Sequence, residues 1–231
     1  IEDIHIYGST ISLERIETLL FDVVLVGQRH AVPIHLHEIE PGEIFRGKNY
    51  SVTAFPVTHR GLGCLGYSFQ QDSHRPFNAD KAAELGIPAG PERAQLVRGE
   101  AITLDDGRHI TPDMVLGDTI PGAKLVFTGD TARTDNLFDV VQNADVLISE
   151  ATFLSSDTDT AHSFGHITAS QAATLAKDAN VRDLLITHVS RRYRESDIIN
   201  EARSVFPQAY VARDLDHFVV RRGQAIEKQR T

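Results

Sequence analysis

The sequence predicts an α/β fold made of packed layers of strands and helices. Short runs rich in β-branched residues alternate along the chain with stretches whose apolar residues recur at helical spacing. The 231 residues contain no linker-like break, which favours a single domain at this length. Strands and helices mixed in this way pack as a layered sandwich.

Nine short segments have the composition of strands, and most are bounded by turn-forming residues. The predicted strands are residues 4–7, 23–26, 50–57, 67–70, 125–128, 146–148, 184–187, 209–212 and 216–220.

Helices are predicted where apolar residues fall on one face. The predicted helices are residues 13–20, 80–85, 136–143, 169–179 and 196–205. The strongest is 169–179, because Thr168 and Gln171 form a capping box and a stripe of alanine and leucine follows. The last helix is ended by Pro207.

The segment from about residue 71 to residue 122 differs from the rest because prolines and glycines are frequent in it. Its stretch "LGIPAGPERAQLVRGE" is poorly periodic, and we expect no core element there. A hairpin turned at Asp106-Gly107 is predicted within "ITLDDGRHI". The segment is interpreted either as a long surface loop or as a functional arm inserted in the domain.

The composition excludes several classes of protein. With 41% hydrophobic and 24% charged residues the chain is globular, and no apolar run approaches the roughly 20 residues of a membrane helix. Cys64, the one cysteine, excludes an internal disulfide framework. No membrane partner is expected, and a cytoplasmic setting is the default because no signal peptide is seen.

The charge argues against a general nucleic-acid coat protein, since the formal net charge is −9. The positive charges are nevertheless local and mostly guanidinium, with 18 Arg against 5 Lys. Arg191, Arg192 and Arg194 stand together, and such groups hold phosphates bidentately. An acidic chain can therefore still carry a phosphate-binding patch.

Three predicted strands end in side chains that can bind metal. His59 follows "AFPVT", Asp130 follows "KLVFTG", and His188 follows "DLLIT". Each residue alone is adequately explained as a cap or a hydrogen-bonded polar group. Together they indicate a metal site, because carboxylate and neutral imidazole suit Zn²⁺ and a carboxylate can bridge two ions.

Two further residues lie between the second and third of these motifs. Glu150 ends the strand in "DVLISEATF", and His166 stands in "GHIT" ahead of the capped helix. The pair is interpreted either as an orienting carboxylate with a general acid or as two structural hydrogen-bonding groups.

The motifs taken together resemble a known family. The stretches "FPVTHRGLGCLGYSF", "GIPAGP", "LDDG", "FTGDT", "SEATF", "GHITASQAA" and "LLITHVSRRY" resemble the ribonuclease Z family of tRNA 3′-processing endoribonucleases, in the metallo-β-lactamase superfamily. The resemblance covers essentially the whole chain. It implies an αββα metallo-β-lactamase sandwich with mixed sheets, N-terminally truncated here, and an arm inserted at about residues 71–122.

The resemblance also implies roles for the five residues above. His59 and His188 would each bind one of two Zn²⁺ ions, and Asp130 would bridge both. A metal-activated hydroxide would hydrolyse one phosphodiester of precursor tRNA and remove its 3′ trailer, leaving a 5′-phosphate on the trailer. His166, oriented by Glu150, would protonate the leaving oxygen.

Substrate binding follows from the same resemblance. Gly90 and Pro91 would lie near the tip of the arm that clamps the tRNA, and Arg192 would lie near substrate phosphates. The active form would be a homodimer in which the arm of one subunit serves the active site of the other.

One motif of the active members is missing from this sequence, namely H-x-H-x-D-H. His35 and His37 do not replace it, because Ile39 and Glu40 stand where Asp and His are needed. Strand alternation accounts for these two histidines. Because the chain begins at Ile1 rather than Met, we expect an N-terminal part to be absent and the chain alone to be inactive.

Two alternative functions stay open. The first is another hydrolase of the metallo-β-lactamase fold, acting on a sulfate ester, a cyclic phosphodiester or a lactone. The second is a non-catalytic half that binds RNA or a partner subunit. The remaining histidines are predicted to be surface or hydrogen-bonding residues: His5, His30, His74, His109, His162 and His217.

Overall fold

The computed structural model describes residues 2–26 and 32–229, and His30 therefore lies outside the described residues. The chain divides into two compact units. The larger comprises Ile1–Gln71 and Ala123–Thr231, and the smaller comprises Asp72–Gly122. No helix within the described residues is long and apolar enough to cross a membrane.

Thirteen strands are found among the described residues. In chain order they are β1 (Ile4–Gly8), β2 (Ile34–Glu38), β3 (Gly42–Arg46), β4 (Tyr50–Pro56), β5 (Leu65–Gln71), β6 (Ile102–Thr103), β7 (His109–Ile110), β8 (Lys124–Phe127), β9 (Val146–Glu150), β10 (Asp183–Thr187), β11 (Ala209–Val211), β12 (His217–Val219) and β13 (Glu227–Gln229).

Seven α-helices accompany these strands. They are α1 (Thr10–Glu17), α2 (Ala79–Glu84), α3 (Pro91–Val97), α4 (Phe138–Val141), α5 (Thr158–Phe164), α6 (Ala169–Asp178) and α7 (Glu195–Val205). The capping box of α6 is confirmed, because the Thr168 hydroxyl accepts from the amide of Gln171 and the Gln171 side chain accepts from the amide of Thr168.

The larger unit is built on a mixed seven-stranded sheet with the order β11-β10-β9-β8-β5-β4-β3. Strands β8 to β11 are parallel to one another, whereas β5 is antiparallel to both β4 and β8. Strands β4, β8, β9 and β10 consequently run in the same direction. Their carboxyl ends meet at one edge of the sheet, which is the usual place for a binding site in an α/β fold.

The main core lies between this sheet and the helices that cover it. Helix α6 packs against β9 and β10, and α7 packs against α6 and β11. Leu147, Ile167, Leu184, Ile186 and Ile198 are fully buried in that layer. The predicted α/β class is confirmed by this arrangement of helices on a mixed sheet.

Within the larger unit, the first two strands of the chain form a small sheet that is separate from the seven-stranded sheet. Strand β1 pairs with β2 in parallel, with His5 opposite His35. The predicted strand at residues 23–26 is wrong, because helix α1 continues into a π-helical segment, Thr18–Val24. β-branched residues raise strand propensity only where a partner strand is available, and none pairs with this segment among the described residues.

The smaller unit has a core of its own. Ile87, Leu96 and Ile110 are almost completely buried there, and β6 pairs with β7 as the predicted hairpin. The expectation that residues 85–100 hold no core element is wrong. Helix α3 forms because Pro91 stands at its first position after Gly90, and with seven residues, about two turns, it is too short to display periodicity.

Candidate metal centre and active site

Four side chains named from the sequence converge at the edge where the parallel strands end. His59 follows β4, Asp130 follows β8, Glu150 ends β9 and His188 follows β10. His166 reaches the same place from the turn between α5 and α6. The structure therefore brings together all five residues to which the sequence assigned chemistry in the larger unit.

Asp130 lies at the centre of this group. Its Oδ2 is 4.0 Å from Nε2 of His59 and 3.6 Å from Nε2 of His188. One ligand atom from each of His59, Asp130 and His166 falls within 4.8 Å of the others. The carboxylate thus faces imidazole nitrogens on more than one side.

A hydrogen bond to a backbone carbonyl fixes the orientation of the His59 ring. Its Nδ1 lies 2.8 Å from the carbonyl oxygen of Gly165, and because a carbonyl only accepts, Nδ1 carries the proton. Gly165 adopts a left-handed conformation with φ of 75°, and a Cβ there would approach Nδ1 of His59 to 3.3 Å. A glycine at this position lets the loop come close enough to hold the ring.

This hydrogen bond determines which atom of His59 faces Asp130. With the proton on Nδ1, Nε2 presents a lone pair toward the carboxylate, so two acceptor atoms face each other. A divalent cation between them satisfies both, and imidazole backed by a carbonyl is a common arrangement behind a metal ligand. Carboxylate and imidazole are donors that suit such an ion, and both His166 and His188 lie beside Asp130 as well.

His166 is held by a buried carboxylate. Its Nδ1 donates to Oε1 of Glu150 at 2.9 Å, and the Glu150 side chain is 1% exposed. Glu150 also accepts hydrogen bonds from the amide of Thr131 at 2.7 Å and the hydroxyl of Thr152 at 2.6 Å. These contacts fix the position of the carboxylate, and with Nδ1 bonded to Glu150, Nε2 is the ring nitrogen of His166 that stays available for another contact.

His188 has an unusual backbone. Its φ is 54°, in the left-handed region that non-glycine residues rarely occupy. Such a conformation costs free energy and is concentrated at functional sites. The turn places the ring against Asp130 while leaving 51% of the side chain exposed.

Arg192 lies on the loop that follows His188. Its guanidinium is 3.7 Å from the carboxylate of Asp157 and stacks over the Phe153 ring at 5.9 Å. The hydroxyl of Tyr193 donates to the same carboxylate. Burial, together with this contact to Asp157, raises the pKa of Tyr193. Asp157 therefore anchors the loop, while Arg192 remains more than half exposed.

Gly90 and Pro91 belong to the smaller unit, where they begin α3. Gly90 has a φ of 145°, which L side chains rarely adopt. Their predicted contact with substrate stays a prediction.

The sequence did not single out the groups that hold the His166–Glu150 pair in place. Thr131 and Thr152 each lie two or fewer residues from a named site residue, in "GDT" and "SEATF". Their closeness in sequence to Asp130 and Glu150 could have identified them as hydrogen-bonding partners of the site. Gly165 gave another, since a glycine directly before His166 permits a left-handed turn.

Known proteins match this chain in sequence. The family model described as "Beta-lactamase superfamily domain" matches residues 75–189. Ribonuclease Z of Bradyrhizobium diazoefficiens is 40% identical over 192 residues, covering 83% of this chain and 64% of the relative. This chain thus spans somewhat less than two thirds of that protein. Ribonuclease Z of Myxococcus xanthus is 38% identical over 224 residues, covering 95% of this chain and 71% of the relative.

Solved structures share the fold at lower identity. The metallo-β-lactamase fold protein YhfI of Bacillus subtilis matches with a TM-score of 0.58 at 18% identity, over 91% of this chain and 63% of that one. The short form of human tRNase Z matches with a TM-score of 0.55 at 20% identity, over 93% of this chain and 66% of that one. The predicted metallo-β-lactamase fold is confirmed by these likenesses. On the strength of its sequence relatives, the chain belongs to the ribonuclease Z family.

Proposed function

We propose that this protein is a metal-dependent endoribonuclease that removes the 3′ trailer from precursor tRNA. The observation that carries the proposal is the placement of the His166–Glu150 pair beside His59 and Asp130. A ligand group and an adjacent oriented imidazole supply the two needs of phosphodiester hydrolysis. These are charge stabilisation at the phosphate and a proton for the leaving oxygen.

The metal in this proposal is zinc, with two ions in each active site. His59 and His188 would each hold one ion and Asp130 would contact both. When bound, zinc supplies a Lewis acid that makes water more acidic and stabilises negative charge on phosphate oxygens. Three side chains are fewer than two four-coordinate ions require, so the complete centre needs further ligands beyond these three.

His166 is the proposed proton donor to the leaving 3′ oxygen. Glu150 holds its Nδ1, so Nε2 is the atom available to the substrate. A positioned acid of this kind typically accelerates a reaction by about 10²–10⁴-fold. Protonation at the 3′ oxygen leaves a 3′-hydroxyl on the tRNA and a 5′-phosphate on the trailer.

Precursor tRNA is the proposed substrate, and arginines supply the contacts to its backbone. Arg191, Arg192 and Arg194 are all exposed on the loop after His188. Gly90 and Pro91 in the smaller unit are the proposed contact to the body of the tRNA. A homodimer and a cytoplasmic setting complete the proposal.

The proposal is tested with the protein expressed from its entire reading frame and two substrates. One is a precursor tRNA with a 3′ trailer, and the other is bis(p-nitrophenyl) phosphate, a small chromogenic diester. We expect a single cut beyond the acceptor stem, with a 5′-phosphate on the trailer. Hydrolysis of the small diester with no cleavage of the tRNA would favour a different metallo-β-lactamase-fold hydrolase.

A further inference from the structure

A second group of metal-competent side chains lies away from the site above, on the parallel pair of β1 and β2. His5 on β1 stands directly opposite His35 on β2, and His37 is two residues further along. Because side chains alternate along a strand, these three rings share one face of the pair. Asp3, just ahead of β1, projects into the same group.

The ligand atoms of this group are close enough to share one ion. Oδ2 of Asp3 lies 3.2 Å from Nε2 of His5 and 3.9 Å from Nε2 of His35. One atom from each of the three residues falls within 4.8 Å of the others. Ligands of a tetrahedral zinc ion, at bond lengths of about 2.0–2.1 Å, stand about 3.3 Å apart. Small side-chain movements would bring the three atoms to that separation.

We propose that Asp3, His5 and His35 form a second binding site for a divalent transition-metal ion, with Zn²⁺ as the natural occupant. Two imidazoles and one carboxylate are a donor set that suits zinc, and water completes the coordination. The residues are exposed, so an ion can enter from solvent without any opening of the fold. The ion would link β1 to β2.

His37 supports the site without contributing a ligand. Its Nε2 lies 2.7 Å from Nδ1 of His5, and its ring stacks on Tyr7 with centroids 4.6 Å apart. When His5 donates from Nδ1 to His37, its Nε2 carries the lone pair that an ion needs. A partner of this kind typically changes metal affinity by about 10–100-fold.

The same contacts allow a state without metal. His37 then donates to Nδ1 of His5, and His5 donates from Nε2 to Asp3, which satisfies every group in the chain of hydrogen bonds. Binding of an ion changes the tautomer of His5, so that its proton lies on Nδ1 instead of Nε2. His5 is therefore protonated on Nε2 in the metal-free state and on Nδ1 when an ion is bound.

Zinc titration of the protein, followed by calorimetry and by imidazole ¹⁵N NMR, tests the site. The variants are His35→Asn and Asp3→Asn, and the matched control is His217→Asn, which changes an exposed histidine on β12. We expect zinc to shift the ring nitrogens of His5 and His35 in the wild type. Either ligand variant should lose one zinc equivalent or bind it at least tenfold more weakly, and the control should not change.

Asp130→Asn separates the two sites. It should weaken binding at the centre near His59 while the zinc-dependent shifts of His5 and His35 persist. Circular dichroism of each variant checks that it is folded. If both ligand variants bind as many zinc ions as His217→Asn, with equal affinity, and no shift appears at His5 or His35, the proposal is overturned.

Discussion

Oε1 of Glu150 lies 2.9 Å from Nδ1 of His166, and the carboxylate that makes this contact is almost fully buried. The amides of Thr131 and Ile167 donate to the same carboxylate, one to each oxygen. Glu150 is therefore an acceptor on both oxygens, and His166 must donate from Nδ1. This fixes the tautomer of the neutral ring and leaves Nε2 as the nitrogen free of Glu150.

Replacing Glu150 by Gln should slow catalysis more than it weakens substrate binding. A hydrogen bond to a charged group is worth about 1.5–3 kcal/mol, which corresponds to roughly 10–100-fold in rate. We expect that fall in kcat on precursor tRNA with KM changed by less than about threefold.

Glu201→Gln is the matched control for that change, since Glu201 also accepts backbone hydrogen bonds, from Ser155 and Ser170. Its kcat should stay close to that of the wild type. Equal losses of kcat in the two variants would mean that Glu150 acts on stability alone.

Asp130→Asn should weaken metal binding at the candidate centre. The amide that replaces the carboxylate is neutral and is a poorer ligand for a divalent ion, and the Asp130 carboxylate approaches both His59 and His188. We expect at least a tenfold loss of zinc affinity, measured by competition with a chelator. Asp139→Asn, at an exposed position on α4, should bind zinc as the wild type does. Equal affinities in both variants would contradict the assignment of Asp130.

Arg192→Gln should weaken tRNA binding in a salt-dependent way. Each phosphate contact removed lowers the slope of log K against log salt by about one. We expect a reduced slope for Arg192→Gln and an unchanged slope for Arg213→Gln, whose guanidinium makes two hydrogen bonds to Glu195, whereas that of Arg192 only approaches Asp157. An unchanged slope for Arg192→Gln, measured by filter binding between 50 mM and 200 mM salt, would place Arg192 outside the RNA interface.

Asp145 should make the fold sensitive to acid. Burial alone would raise its pKa, but hydrogen bonds from the amides of Gly223 and Lys124 and from Arg222 outweigh burial and lower it. Because the folded pKa lies below the unfolded one, this stabilisation is present above the unfolded pKa. It is lost as the pH falls through the folded pKa.

Unfolding by urea at pH 7 and at about pH 3 measures that effect. We expect Asp145→Asn to cost about 1–3 kcal/mol at pH 7 and clearly less at the lower pH. A cost that is the same at both pH values would show that the charge of Asp145 is not what stabilises the fold.

Much of the sheet could be predicted because its strands are marked by local composition. The predicted bounds of β4, β8, β10 and the capped helix α6 agree with the structure within one residue, and β9 extends two residues beyond its predicted end. Strand β3 (Gly42–Arg46) was missed because its register is set by pairing with β4, which the local sequence does not encode. The strand predicted at residues 23–26 is wrong for the opposite reason. Its composition is that of a strand, but no strand pairs with it among the described residues.

The residues that meet at the site could be predicted from the sequence, but the contacts that orient their side chains could not. A strand-end histidine or aspartate can be read from the sequence, as His59 and Asp130 were. That the Gly165 carbonyl fixes His59 depends on a contact between residues 106 positions apart. Long-range contacts of this kind arise only from tertiary packing.

Single-turnover cleavage of precursor tRNA by His166→Ala, with zinc content measured on the same sample, tests the central claim most directly. The protein is produced from its entire reading frame. We expect a fall of about 10²–10⁴-fold in rate with bound zinc unchanged, because the proposal makes His166 the proton donor and not a metal ligand. An unchanged cleavage rate, or a loss of rate that follows a loss of zinc, would contradict it.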